Sequence, residues 1–210
     1  MNKQKSLKTA FVFLFLFSLI LGGMYLFSKK EKDIGSVTDQ EIISDSVKFS
    51  KEYTQVGEEN IFEYKTIDEI VKIFEGGTGV VYLGFPECPW CQRYVVYLNE
   101  VARENGIETI YYTNILKDRK DNTEGYQKLV SLLDGLLLND NEGNPRIFVP
   151  DISVVVNGEI VGHDNETSVV TEEDGTPDEY WTEEKVGKLK LRLKGLFEKL
   201  GTGSCTSCEV

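Results

Sequence analysis

The feature that most constrains this 210-residue chain is a pair of cysteines, Cys88 and Cys91, placed where a strand gives way to a helix. The run before them, residues 79–85, is short, β-branched and aromatic and is bounded by glycine, which is typical of a buried strand. Residues 92–105 repeat apolar side chains at helical spacing and contain no proline. A Cys-x-x-Cys between a buried strand and a helix indicates a thiol–disulfide redox site.

The helix start explains why this spacing suits redox chemistry. The first turn of a helix has unpaired N–H groups and partial positive charge, which favour a thiolate at Cys88 and lower its pKa. Pro89 fits the first helical position, where a missing N–H costs nothing. Cys91 lies one turn further on, so it is predicted to be the more shielded thiol and close enough to form a disulfide.

The charge balance argues against two classes of partner. The chain has 35 acidic and 23 basic residues, and its first 32 residues hold six of the lysines and a single acid. The remainder therefore carries 34 acidic and 17 basic residues. Such a surface repels nucleic acid and anionic lipid headgroups, so neither is expected to bind the folded part.

The N-terminus predicts a membrane anchor. Lys3, Lys5 and Lys8 precede the apolar residues 10–27, which as a helix would be roughly 27 Å long. That length is near the lower limit for crossing about 30 Å of hydrocarbon. A cleaved signal peptide is the alternative, but no small-x-small site follows the apolar run, which favours an uncleaved transmembrane helix.

The chain is thereby divided into five parts. Residues 1–9 are expected in the cytoplasm and 10–27 as the transmembrane anchor. Residues 28–46 are expected as a polar tether, 47–200 as the globular domain and 201–210 as a flexible tail. Lysines flank the span evenly, and the free amino terminus with two acids beyond the span favours an N-terminus inside. A long C-terminal domain is exported regardless of its charge, so the domain is predicted to be extracytoplasmic on a single-pass membrane protein.

Local signals give the remaining elements of the domain. Thr66 with Glu69 forms a capping box at a helix start, and Asn157-Gly158 is a strong two-residue hairpin turn. The order is β-α-β-α-β-α-β-β-α, which predicts an α/β fold with a central mixed sheet flanked by helices. The further predicted segments are an edge strand at 61–64, a strand at 107–112, a helix at 123–138, an acidic loop at 164–178 and a closing helix at 181–200.

This order, with Val149-Pro150 opening the hairpin, resembles the thioredoxin fold over roughly residues 60–200. Residues 84–91 (GFPECPWC) resemble small membrane-anchored thioredoxin-like proteins of Gram-positive bacteria, of the bacteriocin transport accessory type. The resemblance implies that Cys88 attacks and that Cys91 resolves the mixed disulfide. It also implies a cis-proline at Pro150 opposite the pair. Substrate is expected to contact Pro150, Val149 and Trp90, and no cofactor is implied.

Two positions depart from thioredoxin. Tyr82 occupies the place of a buried aspartate that helps the second thiol lose its proton. Glu87 precedes the first cysteine where thioredoxin has tryptophan, and a carboxylate there tends to raise a thiol pKa against the effect of the helix. The direction of electron flow, reductant or oxidant, therefore stays open.

The second pair, Cys205 and Cys208, has several interpretations. A zinc site shared with the first pair is disfavoured because 113 residues separate the pairs, whereas about 15–20 are usual. For Cys88 and Cys91, a purely structural disulfide is also disfavoured. The tail follows a flexible Gly/Ser exit, so a second redox pair, capture of a metal and an inert end all stay open.

Three other features allow a prediction of where they lie in the structure. His163, the only histidine, is expected at the surface just past a strand. The acidic loop lacks calcium-loop spacing and is expected to be solvated. Trp90 is expected on the accessible rim of the site.

The predicted function is a membrane-anchored extracytoplasmic thiol–disulfide oxidoreductase that acts on protein disulfides or dithiols. Its expected partners are cysteine-containing protein substrates and a membrane protein that sets its redox state. The alternative is a non-catalytic binding or assembly module, with the same fold, for a secretion or membrane complex.

Overall fold

A mixed five-stranded sheet forms the centre of the structure, a computed structural model that describes residues 43–165, 167 and 175–202. All of these residues belong to one compact unit, 43–210. The strands of the central sheet are β1 (Phe62–Tyr64), β2 (Gly79–Gly84), β3 (Ile110–Asn114), β6 (Asp151–Val156) and β7 (Glu159–Asp164), and a separate hairpin pairs β4 (Leu138–Asn139) with β5 (Pro145–Arg146).

The strand order is β1-β3-β2-β6-β7, which puts β2 in the middle. Strands β1, β3 and β2 are parallel, whereas β6 is antiparallel to β2 and to β7. Every residue of β2 after Gly79 is buried, as expected for a central strand covered on both faces. The predicted α/β class with a mixed sheet is confirmed, and it is compatible with a thioredoxin-like arrangement.

Helices flank this sheet. Helix α3 (Pro89–Glu104) packs against α7 (Glu183–Thr202), while α2 (Ile67–Gly76) packs against α5 (Glu124–Leu132). The apolar side of α7 buries Leu189, Leu193 and Phe197 in the core. The helices are α1 (Asp45–Glu52), α2 (Ile67–Gly76), α3 (Pro89–Glu104), α4 (Leu116–Asp121), α5 (Glu124–Leu132), α6 (Pro177–Tyr180) and α7 (Glu183–Thr202).

The strongest local signals are confirmed. Thr66 accepts from the backbone N–H of Glu69, whose carboxylate accepts in return from the N–H of Thr66. Asn157 and Gly158 have φ values of 50° and 82°, the left-handed pair that a tight hairpin turn requires. Pro89 occupies the first turn of α3.

Two helix predictions need correction. The helix predicted for 123–138 is wrong at its C-terminal end, because α5 stops at Leu132 and Gly135 adopts a left-handed φ of 78°. Helix α1 was not predicted, and it begins at Asp45, inside the expected tether. Its composition is polar, but Phe49 is fully buried and stacks on Phe62 with ring centroids 3.9 Å apart.

The predicted membrane anchor, residues 10–27, lies outside the described residues. Within the described ranges, 43–165 and 175–202, there is no helix with the length and apolar character needed to span a bilayer.

Candidate active site

The two cysteines lie at the N-terminus of α3, directly beyond the end of central strand β2. Cys88 is the N-cap residue, with extended backbone angles, and Cys91 sits in the first turn. Cys88 is 9% exposed and Cys91 is fully buried, so the predicted difference in shielding is confirmed. Both are free thiols here. The pair thus holds Cys88 just below the surface and Cys91 deeper beneath it.

The surroundings shift the two thiol pKa values in opposite directions. The Cys91 thiol donates to Cys88, and this hydrogen bond is the main reason that the pKa of Cys88 falls to about 7. Backbone N–H groups of Cys91 and Trp90 and the positive charge of Arg119 act in the same direction, against the effect of burial. Burial raises the pKa of Cys91 well above its ordinary value, and the neighbouring Cys88 adds to that rise. Near neutral pH the pair therefore holds one thiolate and one proton.

A loop segment faces the Cys88 sulfur. The Val149–Pro150 peptide bond is cis, as the resemblance implies, and the Cys88 Sγ lies 3.8 Å from the Val149 carbonyl oxygen. Strand pairing holds this segment in place, because Asp151, the residue after the proline, is paired with Leu83 near the end of β2. Pro150 is buried and Val149 is half-buried. The cysteine pair and the proline are thus brought together by two adjacent strands.

Trp90 is half-buried rather than fully exposed. Its ring packs edge-on against Tyr180 of α6, with centroids 5.2 Å apart. A cleft of about 300 Å³ is lined on one side by Pro86, Glu87 and Pro89, which flank Cys88 in the chain. Glu87 is exposed, so solvent screens its charge.

Tyrosines lie beneath Cys91. Tyr82 is fully buried and its ring stacks on Tyr112, whose hydroxyl accepts a 3.2 Å hydrogen bond from Tyr53. The Tyr82 hydroxyl interacts with the Cys91 thiol and partly offsets the rise in the pKa of Cys91. It fits there because Gly84 has no Cβ, which would collide with the hydroxyl.

The prediction that His163 is a surface residue is wrong. It lies within β7, its side chain is 9% exposed, and its Nε2 is 2.9 Å from Oδ2 of the fully buried Asp151. The next residue, Asp164, accepts from the Tyr94 hydroxyl at 2.6 Å and from Arg192 Nε at 3.1 Å. These polar contacts tie β7 to β6, α3 and α7, and they supply the partners that buried charges require.

Several site residues were not found from sequence. Arg119, whose charge acts on Cys88, lies 31 positions further along the chain, and no local motif marks it. Tyr53 belongs to the unpredicted helix α1 region. Cys205 and Cys208 lie outside the described residues. Within 43–165, 167 and 175–202, no group of three or more His, Cys, Asp or Glu side chains is arranged to hold a metal ion.

The pKa difference predicts a distinctive alkylation profile. Cys88 is expected to react with iodoacetamide at half its maximal rate near pH 7, and about tenfold more slowly for each unit further below that. Cys91 should stay unlabelled until the protein is denatured. Mass spectrometry of peptides labelled between pH 5 and 9 measures both. A Cys88 midpoint near 8.5, that of a free thiol, would contradict the predicted activation.

Comparison with known proteins found no matching family model, no matching curated protein and no matching solved structure. Function is therefore inferred from the residues of the site.

Proposed function

We propose that this chain is a thiol–disulfide oxidoreductase of the thioredoxin-like fold, with Cys88 as the attacking thiolate and Cys91 as the resolving thiol. The observation that carries the proposal is the opposite shift of two thiol pKa values at one helix start. Two-step exchange needs a nucleophile that is ionised at working pH and a second thiol that keeps its proton until the first step is complete.

The fold assignment is supported by where the motifs lie. The Cys-x-x-Cys joins β2 to α3, and the cis-proline precedes the antiparallel strand β6 beside it. By the same resemblance we propose a relationship to the membrane-anchored thioredoxin-like proteins of Gram-positive bacteria, of the bacteriocin transport accessory type.

The proposed reaction proceeds in two displacements. The Cys88 thiolate attacks one sulfur of a substrate disulfide, which breaks the substrate S–S bond, releases a thiolate and leaves a mixed disulfide. Cys91 then loses its proton and attacks the Cys88 sulfur, so the second substrate thiolate leaves and a Cys88–Cys91 disulfide forms. The substrate gains two electrons and the protein loses them. With an oxidised pair and a dithiol substrate, the same steps run in reverse.

The substrate is held by the segment that faces Cys88. The Val149 carbonyl lies beside the sulfur, and Pro150 fixes the turn into β6. An extended substrate segment fits between this loop and Trp90, with the adjoining cleft left for the residues that flank its cysteine. Polypeptides are therefore the proposed substrates.

The proposed location is the outer face of the cell membrane, with residues 10–27 as the anchor. A cytosolic reductase does not reach that side, so a membrane redox protein is the proposed electron partner. The reduction potential decides the direction: a value near −270 mV favours a reductant and one near −120 mV an oxidant.

Trapping of mixed disulfides tests the proposal. In cells that express the full chain, Cys91→Ala should accumulate disulfide-linked protein adducts on Cys88, because the second displacement is blocked. Adducts are recovered by affinity purification after acid quenching, released by dithiothreitol and identified by mass spectrometry.

The matched control is Cys88→Ala/Cys91→Ala, and all variants are made with Cys205 and Cys208 replaced by serine so that tail thiols contribute no adducts. Adducts absent from Cys91→Ala, or equally abundant in the control, would contradict the enzyme. An unchanged phenotype in Cys88→Ser/Cys91→Ser cells would instead support the non-catalytic module.

A further inference from the structure

Two arginines near Cys88 lack the acidic partners that the other arginines have. Arg93, Arg103 and Arg192 each form an ion pair, with N–O distances of 3.0–3.6 Å. Arg119 and Arg146 form no ion pair within the part of the chain that the structure describes. In a chain with 35 acidic and 23 basic residues, acidic partners are abundant, so two unpaired arginines at one place need an explanation.

Both arginines are held beside the candidate active site. The Arg119 guanidinium lies 4.7 Å from the ring centroid of Phe85, three residues before Cys88, and its Nη1 donates to the Ile147 carbonyl at 3.4 Å. Arg146 directly precedes Ile147, and its guanidinium lies 5.7 Å from the Phe148 ring. Arg146 is followed in the chain by Ile147, Phe148 and then the Val149–Pro150 segment, which faces the Cys88 sulfur.

The positive charges of Arg119 and Arg146 repel each other. Both side chains are half-buried, and burial together with the charge of Arg146 lowers the pKa of Arg119. Arg119 uses one of its five N–H donors on Ile147 and leaves four without a partner among the described residues. Like charges in a partly desolvated setting are destabilising unless an anion binds them. Planar guanidinium groups match carboxylates and phosphates, and a carboxylate is the anion that the side chains of a polypeptide substrate supply.

We propose that Arg119 and Arg146 bind a carboxylate that flanks the reacting disulfide of the substrate, so that acidic residues beside the cysteine define preferred substrates. This inference rests on the proposed function, because it names the substrate class of the same site. The arginines are substrate-binding residues here and exchange no proton or electron in the displacements, although the charge of Arg119 also favours the Cys88 thiolate.

The test uses two disulfide peptides that differ only in a Glu or Gln beside the cysteine. For the full-length protein in detergent, mixed disulfide formation should be on the order of tenfold faster with the Glu peptide at low salt, because a complementary charge speeds encounter. The preference should disappear in 1 M NaCl. In the double variant Arg119→Gln/Arg146→Gln, the ratio of the Glu-peptide rate to the Gln-peptide rate should fall to about one. The rate ratio is read rather than the rate, because loss of Arg119 also changes the Cys88 thiolate fraction.

The matched control is Arg103→Gln, which removes one positive charge from the last turn of α3 and should keep the preference. A ratio near unity in the unmodified protein, or a tenfold ratio that persists in the double variant, would overturn the proposal while leaving the redox function intact. Failure of both peptides to form a mixed disulfide would overturn the redox function itself.

Glutathione disulfide and cystamine, which are small disulfides with and without carboxylates, separate the two sources of the anion. If the arginine-dependent preference is seen for glutathione disulfide over cystamine but not for the Glu peptide over the Gln peptide, the carboxylate belongs to a small molecule. The assignment to a polypeptide substrate would then be wrong.

Discussion

The Cys88→Ser variant is expected to lose all thiol–disulfide exchange, down to the rate of buffer alone. A serine hydroxyl is not ionised at neutral pH. The surroundings that lower the pKa of Cys88 to about 7, chiefly the hydrogen bond from the Cys91 thiol, do not make a hydroxyl a nucleophile toward sulfur. Cys91→Ser should behave differently, because it keeps the first displacement and loses only resolution. Stopped-flow reaction with a chromogenic disulfide measures the first step, and turnover with dithiothreitol measures the whole cycle.

The comparison is made with Cys205 and Cys208 replaced by serine, and thermal melts check that each variant is folded. Residual exchange in Cys88→Ser, with Cys91 as its source, would show that the buried thiol attacks directly. The assignment of roles to the two cysteines would then be wrong.

Phe49→Ala is expected to lower the free energy of unfolding by about 3–5 kcal/mol, the range for truncating a buried aromatic side chain. Phe49 is fully buried and stacks on both Tyr53 and Phe62, with centroids 4.3 and 3.9 Å apart. Its loss leaves a cavity between α1 and the β1 edge of the sheet. Urea unfolding followed by circular dichroism measures the change.

Ile43→Ala is the matched control, because Ile43 is 47% exposed near the same helix and should change stability by less than about 0.5 kcal/mol. A loss below about 1 kcal/mol for Phe49→Ala would mean that α1 unfolds separately from the sheet.

The parts of the fold that were predictable are those with a local physical cause. The capping box at Thr66, the Asn157-Gly158 turn and the start of α3 at Pro89 each depend on a few consecutive residues, and all three are confirmed. The cysteine pair belongs to this class, because a helix start acts on its thiols wherever the helix later packs.

Features that depend on contacts between residues far apart in the chain are not predicted from the sequence. Helix α1 is polar apart from Val47 and Phe49, so its packing becomes visible only when β1 lies against it. His163 was placed past the end of its strand, whereas β7 continues to Asp164 and brings it to the carboxylate of Asp151. Arg119 and Arg146 are 27 positions apart, and only the fold brings their charges close enough to act on each other. These contacts are set by strand register and loop path, which single-residue preferences do not encode.

The tyrosine beneath Cys91 has a consequence for how protons accompany electrons. Burial raises the pKa of Tyr82 well above its ordinary value, so this neighbour of Cys91 exchanges no proton near neutrality. Below pH 7, reduction of the pair takes up two protons with two electrons, and above pH 7 only Cys91 takes one, because Cys88 stays ionised. The midpoint potential then falls by about 59 mV per pH unit in the acidic range and by about 30 mV above it. A dithiol substrate with ordinary thiol pKa values near 8.5 takes up two protons with two electrons over this whole range, so below pH 7 its potential and that of the pair shift together. Between about pH 7 and 8.5 the substrate potential falls faster, so a mildly alkaline medium makes the pair the stronger oxidant relative to its substrate and helps to choose the direction of electron flow.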